Sequence, residues 1–299
     1  MEYGIGRVSG IDMELLVELF NDAYSDYYVD IQVNPDRLRR LIEREDIQVD
    51  NSFVAYEEQR PVGVVFLGVR GRRGYICGMG VRRSRQRRGI GELLMRRVLS
   101  EAKRLGLNTI QLEVVAANRR ATALYSKLGF VPMRDLGLWE RNTPPPAPEP
   151  APVRADVAVA SQPGVRVGAV RMPGVLPLVD AFNEIRPCWQ NEAQSLVKMS
   201  DRLVGYVSHL DSAATAYALF GESAGSLYIA DFAAAPRLGN AQRQSMCEIL
   251  LSTVDSDVPR ASAKAFNIPL QGYQEAALRA RGFELTLTQQ EMVLCLKWR

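Results

Sequence analysis

The stretch RRSRQRRGIGELLMRRVL, residues 82–99, sets seven arginines around a single Gly-Ile-Gly. A run this basic can grip nucleic acid along many phosphates, or it can end in one tight loop that holds a single phosphorylated ligand. Its flanks decide between them. Before it, GYICGMGV (74–81) reads as a strand. After Gly89 the apolar residues Ile90, Leu93, Leu94, Val98 and Leu99 recur at helical spacing as far as Gly106, a C-terminal capping glycine. Glycines between a strand and a helix let the chain bend tightly and bring main-chain N–H groups near an anion. The first helical turn adds unpaired donors and partial positive charge. That arrangement suits a pyrophosphate. The third glycine and acidic partner of a dinucleotide fingerprint are absent, and so is a Walker lysine.

Outward from this loop, SFVAYEEQRPVGVVFLGV (52–69) predicts two strands around a turn at Gln59-Arg60-Pro61. TIQLEVV (109–115) is a further strand, NRRATALYSKLG (118–129) a helix with Asn118 as N-cap, and FVPMRDLGLWER (130–141) a last strand. Helices are expected at 13–24 and 35–45. The scaffold is therefore of the α/β (α+β) class.

Residues 143–152, TPPPAPEPAP, hold six prolines in ten positions and predict an extended spacer between domains 1–142 and 153–299. The sequence after the spacer echoes the one before it. SFVAYEEQRPVGVVFLG from Ser52 lines up without gaps on GYVSHLDSAATAYALFG from Gly205, and LYSKLGF (124–130) echoes LRARGF (278–283). Shared order makes this an internal duplication.

The net charge is only +3, and the first 142 residues hold 23 basic against 19 acidic residues. The excess is concentrated in residues 70–88, which argues against a broad nucleic-acid face; nucleic acid stays an alternative for Arg70, Arg72 and Arg73. The four cysteines and single His209 lack zinc-ligand spacing, so no metal is expected. Scattered thiols, no leader pattern and no long apolar run imply a cytoplasmic protein with no membrane span.

The ordered set of strand, Q-x-x-G-x-G, amphipathic helix, strand, Asn and ALYSKLGF resembles the GCN5-related N-acetyltransferase (GNAT) superfamily over residues 3–141, and the second half more faintly. The resemblance implies two tandem acyl-CoA N-acyltransferase domains, each a mixed, mostly antiparallel sheet flanked by helices. It implies acetyl-CoA as cosubstrate and a primary amine as acceptor. By position, the N–H groups of Arg87, Arg88, Gly89, Ile90, Gly91 and Glu92 would hold the pyrophosphate, with Gln86 opening the motif. The backbone of Met79, Gly80 and Val81 would meet the pantetheine arm where two strands splay, and Asn118 would cap its helix and reach the arm.

Tyr125 takes the position of the acid that protonates the leaving thiolate. Glu113, twelve residues earlier, is the candidate base, at the spacing found in ribosomal-protein alanine acetyltransferases. Tyr24, Asp26 and Tyr27 lie where the acceptor would border, beside Asp22, Tyr28 and Asp30. The arginines before Gln86 are expected to form a solvated face near the 3′-phosphate.

In the second half Pro236 stands for the glutamine, and Gly89 and Gly91 become Gly239 and Ala241 after a loop of four residues instead of seven. Glu113 aligns with Ser262 and Tyr125 with Leu278. A degenerate copy is therefore expected, with one coenzyme A per chain, in a monomer with an internal pseudo-dimer or in a homodimer. A non-catalytic acyl-CoA-responsive binding protein is the alternative reading.

Overall fold

A computed structural model describes residues 3–29, 31–143, 164–223 and 225–296. Most of the spacer expected at 143–152 lies outside the described residues, as does Asp30. The chain divides into two compact units, one of Met1–Met133 with Gln290–Arg299, the other of Arg134–Gln289.

In the first unit the order is β1 (Gly4–Arg7), α1 (Met13–Ala23), α2 (Pro35–Arg44), β2 (Phe53–Glu57), β3 (Arg60–Arg70), β4 (Arg73–Val81), α3 (Ile90–Arg104), β5 (Thr109–Val115), α4 (Arg119–Lys127) and the start of β6 (Val131–Arg141). α1 begins at an Asp12 N-cap, and α2 at Asn34, whose side chain accepts from the Arg37 amide, with Pro35 at the first helical position. Two apolar layers sandwich the sheet. Ile90, Leu94, Val98, Ile110, Leu112 and Tyr125 pack in the layer holding α3 and α4; Leu16, Leu19, Phe20, Leu38 and Phe66 pack in the layer holding α1 and α2.

The second unit contains β7 (Val165–Val170), α5 (Met172–Phe182), α6 (Ala193–Val197), β8 (Val204–Leu210), β9 (Ala213–Ser223), β10 (Ser226–Ala234), α7 (Asn240–Asp257), β11 (Ala263–Pro269), α8 (Tyr273–Ala280) and the start of β12 (Glu284–Cys295). Ladder register supports the duplication. Gly74 pairs with Ile110 in the first unit and Leu227 with Ala263 in the second, both displaced by 153 positions.

The unit boundaries differ from the expected split at the proline-rich spacer. The sheet of the first unit runs β1-β2-β3-β4-β5-β12, and that of the second β7-β8-β9-β10-β11-β6. The strand expected to finish the first domain instead pairs antiparallel with β11, Trp139 opposite Ala265 and Leu136 opposite Pro269. Burial explains the exchange. Trp139 belongs to the core that holds Met246 and Leu250, while Met292 and Leu296 belong to the core of the first unit.

Among the described residues no helix is long and apolar enough to cross a membrane. Because the first unit takes Met292 from the far end of the sequence, a fragment of residues 1–142 is expected to lose cooperative unfolding in urea. Met292→Ala in the full chain should cost about 2–5 kcal/mol in the same measurement.

Candidate active site

The site begins with a strand that stops pairing. β4 runs parallel to β5 over three pairs, ending at Tyr75 with Gln111. Beyond them β4 bulges against β3, its register jumping between Val64–Gly80 and Phe66–Cys77, with Gly78 at φ +59°. Only glycine fits there, because a Cβ would lie 2.7 Å from Phe66 and 3.0 Å from Phe20. The bulge turns the Met79–Gly80–Val81 segment out of the ladder and opens the splay. α1 closes on it from one face, with Ala23 and Tyr24 against Gly80.

A chain of rings spans this opening. Phe66, Phe20, Tyr24, Tyr27 and Tyr28 follow one another at centroid distances of 6.3, 4.6, 5.0 and 5.5 Å. The Tyr24 hydroxyl donates to the Met79 carbonyl at 3.2 Å, and that of Tyr28 to the Ala117 carbonyl at 3.2 Å. Burial pushes the Tyr24 and Tyr27 hydroxyls above the ordinary tyrosine range.

The basic loop follows β4. Arg87 and Gly89 both take left-handed backbone, φ 65° and 81°, and a Cβ on Gly89 would face open space. Leu93 is the first residue of α3 to donate back into the helix, to Gly89 at 3.0 Å. The N–H groups of Ile90, Gly91 and Glu92 are therefore first-turn donors without an intrahelical acceptor. Gln86 braces the loop by donating to the Val81 carbonyl at 3.3 Å. Lys127 and Arg96 hold the Glu92 carboxyl below the usual range, so its charge is balanced beside the anion-attracting turn.

The arginines divide differently from the expected solvated face. Arg82 is 5% exposed and clamps α1 through Asp22 at 2.7 Å and Glu18 at 2.9 Å. Arg83 pairs with Asp26 at 2.7 Å, and Arg85 with Glu57 at 2.6 Å, while Arg88 lies 3.8 Å from Glu57. Asp22 and Asp26, expected to face an acceptor cation, thus already hold arginines. Arg70 is likewise bound to Asp46 at 2.8 Å. A cavity of about 520 Å³ lies against the loop, lined by Asp26, Tyr27, Gln86, Asn118, Arg119 and Arg120 among others. Asn118 caps α4 by accepting from the Ala121 amide at 3.2 Å.

Glu113 and Tyr125 approach from opposite faces. Ile110, Leu112, Val114 and Tyr125 share one core, and the two-residue period of β5 sends Glu113 to the other face. There the Tyr75 hydroxyl donates to Glu113 Oε2 at 2.5 Å. Tyr125 is buried against Phe130, and desolvation raises its hydroxyl well above the ordinary range, keeping it protonated. Tyr75 was missed by sequence reasoning, since its link to Glu113 depends on ladder register; the alternation that separates Glu113 from its apolar neighbours was the one available hint.

The equivalent positions of the second unit are filled from within. Ladder register sets Phe266, not Ser262, at the Glu113 position, because Tyr75–Gln111 corresponds to Tyr228–Lys264. The bonds Phe130 to Tyr125 and Phe283 to Leu278 keep Leu278 at the tyrosine position. Phe232 and Ala234, equivalent to Met79 and Val81, are held by α8: Gln274 donates to the Phe232 carbonyl at 2.5 Å, and the Tyr273 hydroxyl accepts from the Ala234 amide at 3.3 Å. The Arg243 guanidinium donates to the Pro236 and Leu238 carbonyls at 2.7 and 3.0 Å. Gly239 has φ −67°, outside the left-handed region. Asp231 stands at the Gly78 position, bonded by Tyr217 and pushed by burial up to about 6.

Residues 13–130 match the model of the Acetyltransferase (GNAT) family. A 45-residue segment is 47% identical to the [ribosomal protein bS18]-alanine N-acetyltransferase of Salmonella typhimurium, covering 15% of this chain and 30% of that protein. Among solved structures, a tandem GNAT protein from the clavulanic acid biosynthesis pathway aligns over 100% of both chains at TM-score 0.70 and 15% identity. A GCN5-related N-acetyltransferase from Sphaerobacter thermophilus aligns over 98% of this chain and 95% of its own at 0.71 and 13%. A putative acetyltransferase from Pyrococcus horikoshii covers 99% and 90% at 0.66 and 18%. Residues 13–130 thus form a domain of the GNAT acetyltransferase family, inside a chain whose two units together carry the tandem GNAT fold.

Proposed function

We propose that the first unit transfers an acetyl group from acetyl-CoA directly to a primary amine, and that each chain holds one donor. The observation that carries this reading is the splay of β4 from β5 running into a left-handed loop at a helix N-terminus. The residues present fit the donor. First-turn amides and the bend at Gly89 suit a diphosphate, Arg119 and Arg120 bring positive charge to the adjoining cavity, and the turned-out Met79–Val81 segment offers edge groups to an amide-bearing arm. Coenzyme A would supply the thioester that makes the acetyl group electrophilic.

This chain's residues then have separable tasks. The main chain near Gly80 and Val81 stabilises charge developing on the carbonyl oxygen. Glu113 takes the proton that the acceptor amine must lose before or during attack. Tyr125, protonated across the working range, donates to the thiolate as the C–S bond breaks. The Tyr24 bond to Met79 opens when an arm pairs there, which makes α1 the element that adjusts. Phe266 and Leu278 offer neither proton role, and the side chains already holding Phe232, Ala234 and the Pro236–Leu238 turn support a single donor site.

The acceptor follows only in class. Because the Salmonella relative is named as a ribosomal-protein alanine N-acetyltransferase, a short peptide beginning with alanine is the first acceptor to test. We assign the protein to the cytoplasm on its thiols and sequence.

Calorimetric titration with acetyl-CoA should give one site per chain, and two equivalent sites would refute the reading. Gly89→Val, which strains a left-handed position, should weaken that binding at least tenfold. Glu113→Gln should lower turnover about 10²-fold and remove the lower-pH step in the acid limb of kcat/KM, leaving the step set by ionisation of the acceptor amine itself. Tyr125→Phe should lower kcat about 10²-fold with acetyl-CoA affinity retained.

A further inference from the structure

We propose that Tyr75 is a positioning residue for this reaction: its phenol fixes the orientation of the Glu113 carboxylate and holds it in the charged form that accepts the amine proton. The inference rests on Glu113 as the base. It arises from the ladder that ends at the site. Tyr75 pairs with Gln111 on β5, so Glu113, two residues further along the same face, is its diagonal neighbour and within reach of a long side chain. The Oη to Oε2 distance is 2.5 Å, and Tyr75 is 3% exposed.

The direction of the bond is fixed by chemistry. Burial and the nearby Glu113 charge raise the Tyr75 hydroxyl well above its ordinary range, so it stays protonated and donates. A bond donated to a carboxylate favours the ionised form. Other groups around the pair act on the same balance. Cys77 comes from β4; Glu45, at the end of α2, acts with Glu113 to raise both the Tyr75 hydroxyl and the Cys77 thiol, and Arg44 beside Glu45 offsets this at Cys77. From β12, the buried Glu291 carboxyl accepts from Gln111 at 3.3 Å. Tyr75 is therefore the neutral donor that keeps Glu113 ionised within an acid-rich surround.

The test reads Glu113 directly, without an acceptor. Protein labelled with ¹³C at the glutamate side-chain carboxyls is titrated in the acetyl-CoA-free state, with the Glu113 signal assigned by its loss in Glu113→Gln. Tyr75→Phe, which keeps the ring, should raise the Glu113 midpoint by about one pH unit. 3-Fluorotyrosine at position 75, a stronger donor, should lower it, and covers the case in which the phenylalanine variant is poorly folded. A midpoint unmoved, or moved in the opposite sense, overturns the proposal. In turnover of the alanine peptide, the lower-pH step in the acid limb of kcat/KM should move up with the midpoint in Tyr75→Phe and disappear when Glu113→Gln is added. If Glu113→Gln leaves that lower step in place, the base assignment fails; if it removes the step while Tyr75→Phe leaves it unmoved, only the positioning role fails.

Discussion

The left-handed Gly78 bulge in β4 is the constraint from which the site follows. A strand that continued in register would bond its edge to β5, and the chain would have no opening at the sheet centre. Because the bulge ends the ladder at Tyr75, main-chain groups turn outward beside Phe20 and Tyr24. The same break separates two chemistries. Upstream of it, the buried Tyr75 closes the ladder and reaches Glu113 beyond its end; downstream, Gln86 at the start of the basic loop lines a cavity with Arg83, Arg119 and Arg120.

Charge in the basic stretch is organised by depth. Arg82 is buried and doubly paired to α1, through Asp22 and Glu18 carboxylates that stay open to solvent. Arg83, more than half exposed, makes a surface pair worth at most about 1 kcal/mol. One arginine therefore anchors α1 to the end of β4, and its neighbour is readily released. That difference lets α1 remain docked while side chains of the following segment rearrange around a ligand.

Local patterns made much of this legible. The two-residue alternation of β5, the helical spacing after Gly89 and the Asn118 cap each depend on near neighbours, and the structure has them where periodicity sets them. Long-range choices were hidden. Arg82 and Arg83 are identical in sequence terms, and only an acid sixty residues away buries the first. The last strands of the two halves both alternate apolar and polar residues, so either sheet could take either strand; the packing of Trp139 and Met292 decides. The Glu113–Ser262 alignment failed for a related reason, because gaps in sequence do not report register across a ladder.

The exchanged final strands also bear on inheritance. Neither half of the coding sequence specifies a whole sheet, so a deletion that discards the latter copy also strips Met292 and Leu296 from the earlier one's interior. Selection for the first unit's chemistry alone is then enough to preserve the second. Its residues at the Glu113 and Tyr125 positions can drift to Phe266 and Leu278 while its framework is retained.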